Sequence, residues 1–143
     1  MCAETPRPIS AGRAWLTLFR IPNLFTVPGD PLAGVMLAAA ALEIVPAGTA
    51  LFSTLGASLA LYSAGLLAND YCDRKVDARE RPHRPIPSGA VSEKAVLVMA
   101  IILTTAGLLL AALGGKSTLL IAFILSITSW FYNAAGKRTA WLA

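Results

Sequence analysis

Nine of the chain's twenty charged residues crowd into one short segment: Asp70, Asp73, Arg74, Lys75, Asp77, Arg79, Glu80, Arg81 and Arg84. Continued as a helix, this segment places Asn69, Asp73 and Asp77 four residues apart, with Asp70 three and seven positions before the last two. One face then presents three carboxylates and an amide. Like charges so spaced repel one another, and a cation is the natural partner to hold them together. The donors on that face are oxygens, with neither imidazole nor thiolate among them, which suits a hard ion such as Mg²⁺ better than zinc. Magnesium takes one or two carboxylates and fills its remaining positions with water and phosphate oxygens. Arg74, Lys75, Arg79, Arg81 and Arg84 could pair with the non-bridging oxygens of a diphosphate, whose lipid tail would lie among apolar helices. The plainer alternative is a solvated loop whose acids and bases neutralise each other, and the residues by themselves leave both open.

The elements that must position this segment belong in a membrane. The 143 residues are 56% hydrophobic and 14% charged, with a mean hydropathy of +0.64, too apolar for a water-facing surface. Residues 44–69, 95–115 and 117–136 contain no Asp, Glu, Lys or Arg. At about 1.5 Å per residue each reaches roughly 30 Å or more, enough to cross a bilayer. Residues 24–42 form a fourth, weaker span, broken by Pro28, Asp30 and Pro31. Such a break is tolerated where the helix lines a protein cavity. Four helices buried in a soluble core are excluded because too little polar sequence is left to cover them. The expected fold is all-α, a polytopic membrane helical bundle of about four transmembrane helices. The first twenty residues carry Pro6, Arg7, Pro8, Arg13 and Arg20 and no apolar core, unlike a cleavable signal.

The net charge of +4 needs no nucleic acid to explain it. With the N-terminus inside, eleven of the twelve basic residues fall in cytoplasmic segments and only Lys116 lies outside. Both termini and the acidic segment are therefore expected on the cytoplasmic side of the inner membrane, and Cys2 and Cys72 are expected to stay reduced there. Residues 1–13 read as disordered, and residues 14–19 as an interfacial lead-in to the first span. The second span is expected to begin near Gly48 and run into the acidic segment, and residues 78–91, with Pro82, Pro85 and Pro87, to form a loop. Ser92 and Glu93 predict the cap and acidic first turn of the third span, which pairs antiparallel with the fourth. Gly56, Gly65 and Gly107 predict close helix packing. Asp30, alone within a span, is a functional candidate because an acid in lipid needs a partner or a cavity. Tyr62, Phe131 and Tyr132 could stabilise a cation, although Trp130, Tyr132 and Trp141 sit where an interfacial aromatic belt is expected.

The segment Asn69-Asp70-Tyr71-Cys72-Asp73-Arg74-Lys75-Val76-Asp77 resembles the NDxxDxxxD signature of the UbiA superfamily of intramembrane aromatic prenyltransferases, at all four signature positions. Arg81-Pro82-His83-Arg84-Pro85-Ile86-Pro87-Ser88-Gly89 is similar to its NRPxxSG loop, with His83 in place of asparagine. Arg20-Ile21-Pro22-Asn23-Leu24 is similar to its first-helix RPxN element, and the stretch from Leu24 to Gly34 resembles the UbiA-like EboC group. The resemblance implies a transferase that ionises an allylic prenyl diphosphate with Mg²⁺ and joins the carbocation to an aromatic or lipophilic acceptor in the membrane lipid. By that analogy Asn69, Asp73 and Asp77 hold the metal-diphosphate, with Asp70 in support. Arg84, Lys137 and Arg138 contact phosphate oxygens, the last two because residues 132–138 resemble the family's fourth-helix end. Asn23 and Arg20 face the acceptor.

The family's chains carry nine spanning helices and a second aspartate motif of the DxxxD type. After Glu80 the only acid here is Glu93. The resemblance therefore covers the N-terminal portion of the fold, residues 14–143, and implies a truncated chain, inactive alone, with a second half elsewhere. Two alternatives stand beside it: a non-catalytic half-length membrane protein that binds prenyl lipid or pairs with another half, and a cation transport component. The transport reading predicts charges in several spans, and only Asp30 qualifies.

Overall fold

A computed structural model of the chain describes residues 10–136. Its helices are α1 (Ala11–Phe19), α2 (Ile21–Leu24), α3 (Gly29–Ala41), α4 (Gly48–Glu80), α5 (Glu93–Leu113) and α6 (Lys116–Phe131), followed by a π turn at Tyr132–Gly136. Among the described residues four segments are long and apolar enough to cross a membrane: Ile21–Ala41, Gly48–Glu80, Glu93–Leu113 and Lys116–Ala135. The all-α membrane bundle expected from the charge-free stretches is the fold observed.

The first span is broken where its prolines predict. Pro22 opens α2, Pro28 precedes α3 and Pro31 sits in its first turn, positions where a missing N–H costs little. The bend between them satisfies its own backbone, as lipid demands. Thr26 N and Val27 N donate to the Asn23 carbonyl at 3.0 and 3.2 Å, and Gly29 N donates to Thr26 O at 3.1 Å.

Helix α1 begins at Ala11, so residues 11–13, expected to be disordered, are helical. The cause is tertiary: Ala14 and Leu18 are buried on one face against Leu67 of α4 and Val96 and Ala100 of α5, with Trp15 and Phe19 beside them. The segment is thus more than an interfacial lead-in, because it folds back over the bundle. Arg20 ends α1 with φ 47, a left-handed conformation that costs roughly 1 kcal/mol for a residue with a side chain.

Helices α4 and α5 approach closely at their glycines. A Cβ on Gly107 would lie 2.7 Å from Leu61 and one on Gly56 3.0 Å from Leu110. Ser92 caps α5 as expected, its hydroxyl accepting from Ala95 N at 3.2 Å. Helix α4 outruns the expected loop start by three residues, to Glu80, because no proline intervenes before Pro82 and Arg81 N still reaches Asp77 O at 2.8 Å. The loop then turns through Gly89, whose φ of 74 favours glycine. Trp130, placed in the belt by its position in the sequence, is instead half-buried and donates to Thr104 Oγ1 at 3.2 Å. Phe131 and Tyr132 are exposed.

Candidate active site

The last turns of α4 carry the charged constellation. Asn69 Nδ2 donates to Asp73 Oδ2 at 3.2 Å and reaches Asp70 Oδ1 at 3.4 Å. Asp70 and Asp77 point inward and keep only 8% and 4% of their surface exposed. Arginines from two other parts of the chain answer them. Arg84 Nη1 donates to Asp77 Oδ2 at 2.9 Å and to Asp70 Oδ1 at 3.3 Å. Arg20 Nη2 approaches the same Asp70 oxygen at 3.5 Å, and Arg81 Nη1 lies 3.9 Å from Asp77 Oδ1. The left-handed turn at Arg20 and the folded loop after α4 therefore deliver guanidinium groups onto one helix face. Buried acids are tolerable only when paired in this way.

Arg74 plays a different part. Its Nε donates to Glu93 Oε2 at 2.7 Å, its Nη1 to Tyr71 O at 2.7 Å, and its guanidinium carbon sits 4.0 Å from the centre of the Tyr71 ring. It fastens the end of α4 to the first turn of α5. Lys75 and Arg79 are exposed and His83 lies on the exposed loop.

The expected cation face is only partly assembled. Among the described residues no three acids, histidines or cysteines gather where they could hold a metal ion. Asn69 and Asp73 stay together, whereas Asp77 turns to Arg84. The reason is geometric: neighbours one helical turn apart have Cβ atoms about 5–6 Å from each other, and the arginines supply the charge compensation instead. The donor chemistry still fits magnesium, since one carboxylate and an amide oxygen on an accessible face leave positions for phosphate oxygens. Lys137 and Arg138 lie outside the described residues. Asn23 borders the cavity below and donates from Nδ2 to Tyr62 Oη at 3.3 Å. Arg20, expected at the acceptor, faces Asp70 instead.

Within the span a cavity of about 920 Å³ opens between the α2–α3 segment, α4, α5 and α6. Thr54, Ser58, Tyr62 and Gly65 of α4 line it. Those positions recur every three or four residues, so the same face continues into Asn69 and Asp73. One side of one helix thus carries a hydroxyl-lined cavity and then a charged site.

Residues 31–143 match the model of the UbiA prenyltransferase family. The chain belongs to this family. A digeranylgeranylglyceryl phosphate synthase of Methanothrix thermoacetophila is 35% identical over 122 residues, which are 85% of this chain and 45% of that protein. Its namesake from Ignicoccus hospitalis is 33% identical over 127 residues, 89% of this chain and 40% of the relative. The bacteriochlorophyll synthase 34 kDa chain of Chloroflexus aurantiacus is 38% identical over 82 residues, 53% of this chain and 26% of its own. The chain spans less than half the length of these relatives. No solved structure matches it.

For a UbiA chain, the geometry adds partners that the motif does not spell out. The Arg20–Asp70 pair, the Arg74–Glu93 fastening and the Asn133 amide donating to Gly65 O at 3.4 Å join positions 50, 19 and 68 residues apart. Only Glu93 left a signal, as the acidic residue after a cap.

Proposed function

We propose that the chain takes part in transferring a prenyl group from an allylic prenyl diphosphate to a lipophilic or aromatic acceptor within the membrane, with Mg²⁺ as cofactor. The observation that carries this is the Asn69–Asp73 pair set beside Arg84 and Arg20, on the face of α4 that continues from the cavity. The relatives' names support the class, one referring to a geranylgeranylated glyceryl phosphate and the other to bacteriochlorophyll. The distribution of basic residues favours a site on the cytoplasmic side.

Asn69 and Asp73 would hold the metal, joined by Asp77 once Arg84 leaves it. Bound there, magnesium supplies charge neutralisation for the departing diphosphate. Arg84 exchanges its carboxylate partners for non-bridging phosphate oxygens, a trade its planar fork of donors suits. Lys137 and Arg138 are proposed to add phosphate contacts. Asp70 keeps Arg20 in place and stays paired when Arg84 moves. The cavity shields the allylic cation from water, with the Tyr62 ring on its wall and Asn23 fixing the Tyr62 hydroxyl.

The test is Mg²⁺-dependent binding of inorganic pyrophosphate to the chain in detergent, with prenyl transfer measured in membranes carrying it. Binding is expected in the wild type and at least tenfold weaker in Asp73→Ala. Equal binding by both would remove Asp73 from the metal site.

A further inference from the structure

Helix α1 buries one face and leaves the other uncovered. Ala14 and Leu18 turn onto Leu67 and Val96, which lie one turn from Asp70 and Glu93, where the apolar spans give way to charge. That level is the boundary between lipid and water. The outer side of α1 carries Arg13, Leu16, Thr17 and Arg20, spaced as one helical stripe. With Ile21 and Pro22 these residues line an open groove of about 530 Å³. The groove shares no lining residue with the cavity inside the bundle, so whatever fills it is a separate molecule.

Its two parts make different demands. Leu16 is 56% exposed, and Ile21 opens the first span, whose most apolar stretch is only 6% buried. The groove therefore runs out onto a surface that hydrocarbon must cover. The polar part is cationic: no acid lines it, and among the described residues Arg13 makes no ion pair. Arg20 lends one nitrogen to Asp70 at 3.5 Å and keeps 40% of its side chain exposed. The Thr17 hydroxyl proton is spent on Arg13 O at 2.9 Å. Two guanidinium groups thus stand at the edge of an apolar strip. A free phosphate would engage the arginines alone, and a choline headgroup would bring a cation against them. An anionic headgroup with an attached acyl chain answers both parts.

We propose that this groove binds an anionic membrane phospholipid, with the headgroup phosphate held between Arg13 and Arg20 and an acyl chain against Leu16, Ile21 and Pro22. The proposal does not depend on the prenyl-transfer reading, since the lipid is held without reacting.

The chain in detergent is titrated with dioleoylphosphatidylglycerol, dioleoylphosphatidylcholine and inorganic phosphate, and bound lipid is counted by native mass spectrometry. Phosphatidylglycerol is expected to bind about fivefold or more tightly than phosphatidylcholine, and excess inorganic phosphate should leave it in place. Arg13→Gln, at an exposed position, should weaken phosphatidylglycerol about fivefold, the effect of one basic residue at an anionic surface. Leu16→Ser should weaken both lipids. Lys94→Gln removes an exposed cation from the first turn of α5, outside the groove, and should stay within about twofold of the wild type. Equal binding of the two lipids overturns the proposal, as does unchanged phosphatidylglycerol binding in Arg13→Gln. So does a loss in Lys94→Gln as large as that in Arg13→Gln, which would mean diffuse attraction, or displacement by inorganic phosphate, which would mean an anion site with no lipid part.

Discussion

Two stretches of α4 treat charge in opposite fashion. Beyond Asn69 the buried acids Asp70 and Asp77 each have arginines against them, delivered from Arg20 before the first span or from Arg81 and Arg84 after the helix. Two turns earlier the helix borders the cavity that Asp30 also lines, and Asp30 is exposed, with Thr54, Ser58 and Tyr62 among the other lining residues. The charged end is compensated by the protein itself, so a ligand there must displace partners, and the energetic change is a difference between two kinds of ion pair. Among the described residues Asp30 makes no ion pair, so a ligand entering the cavity displaces none. The first arrangement suits an anion exchanged in every cycle.

The largest test of this contrast removes the compensation. Arg84→Ala leaves Asp70 and Asp77 buried with weaker partners, and should cost about 3–5 kcal/mol of stability in a detergent unfolding titration. Adding Asp77→Asn to that variant should restore part of the loss. A neutral Arg84→Ala would mean that the acids are not held by this arginine. Gly107→Val comes next: the added carbons meet Leu61 where a Cβ already lies at 2.7 Å, so a loss of about 1–3 kcal/mol is expected from overpacking. If the variant is tolerated without loss, the wall between α4 and α5 is looser than the glycines imply. The smallest effect is expected at the uncompensated acid. Asp30→Asn should change stability by less than about 0.5 kcal/mol, because no internal ion pair is broken. A loss as large as that of Arg84→Ala would reveal a partner for Asp30 and dissolve the comparison.

The spans were legible because a charge-free run long enough to cross lipid can hardly be covered in water by so short a chain, and Ser92 was legible because capping is local. The acidic face was legible for a similar reason, since helical periodicity fixes which residues share a side. What could not be read was which arginine answers which acid. Arg20 meets Asp70 only because α1 folds back onto Leu67 and Val96, and nothing in residues 11–13 announces that packing. Trp130 was misplaced for a related reason: an aromatic near a span's end satisfies the belt pattern, and its hydrogen bond to Thr104 depends on how α5 and α6 cross. The cavity is a property of four elements together, so the residues alone indicated only that Asp30 required a partner or a cavity.

Helix α4 runs without interruption for 33 residues, and this sets the phase between its two sites. Tyr62 and Asn69 are seven positions apart, close to two full turns, which is why cavity and charged site open on the same side. A loop between them could take up an inserted residue by bulging. A rod cannot: one extra residue would turn everything beyond it by about 100° and carry it forward about 1.5 Å. The alignment of the two sites is therefore stored as a count of residues, and length in this part of the chain is constrained as strictly as identity.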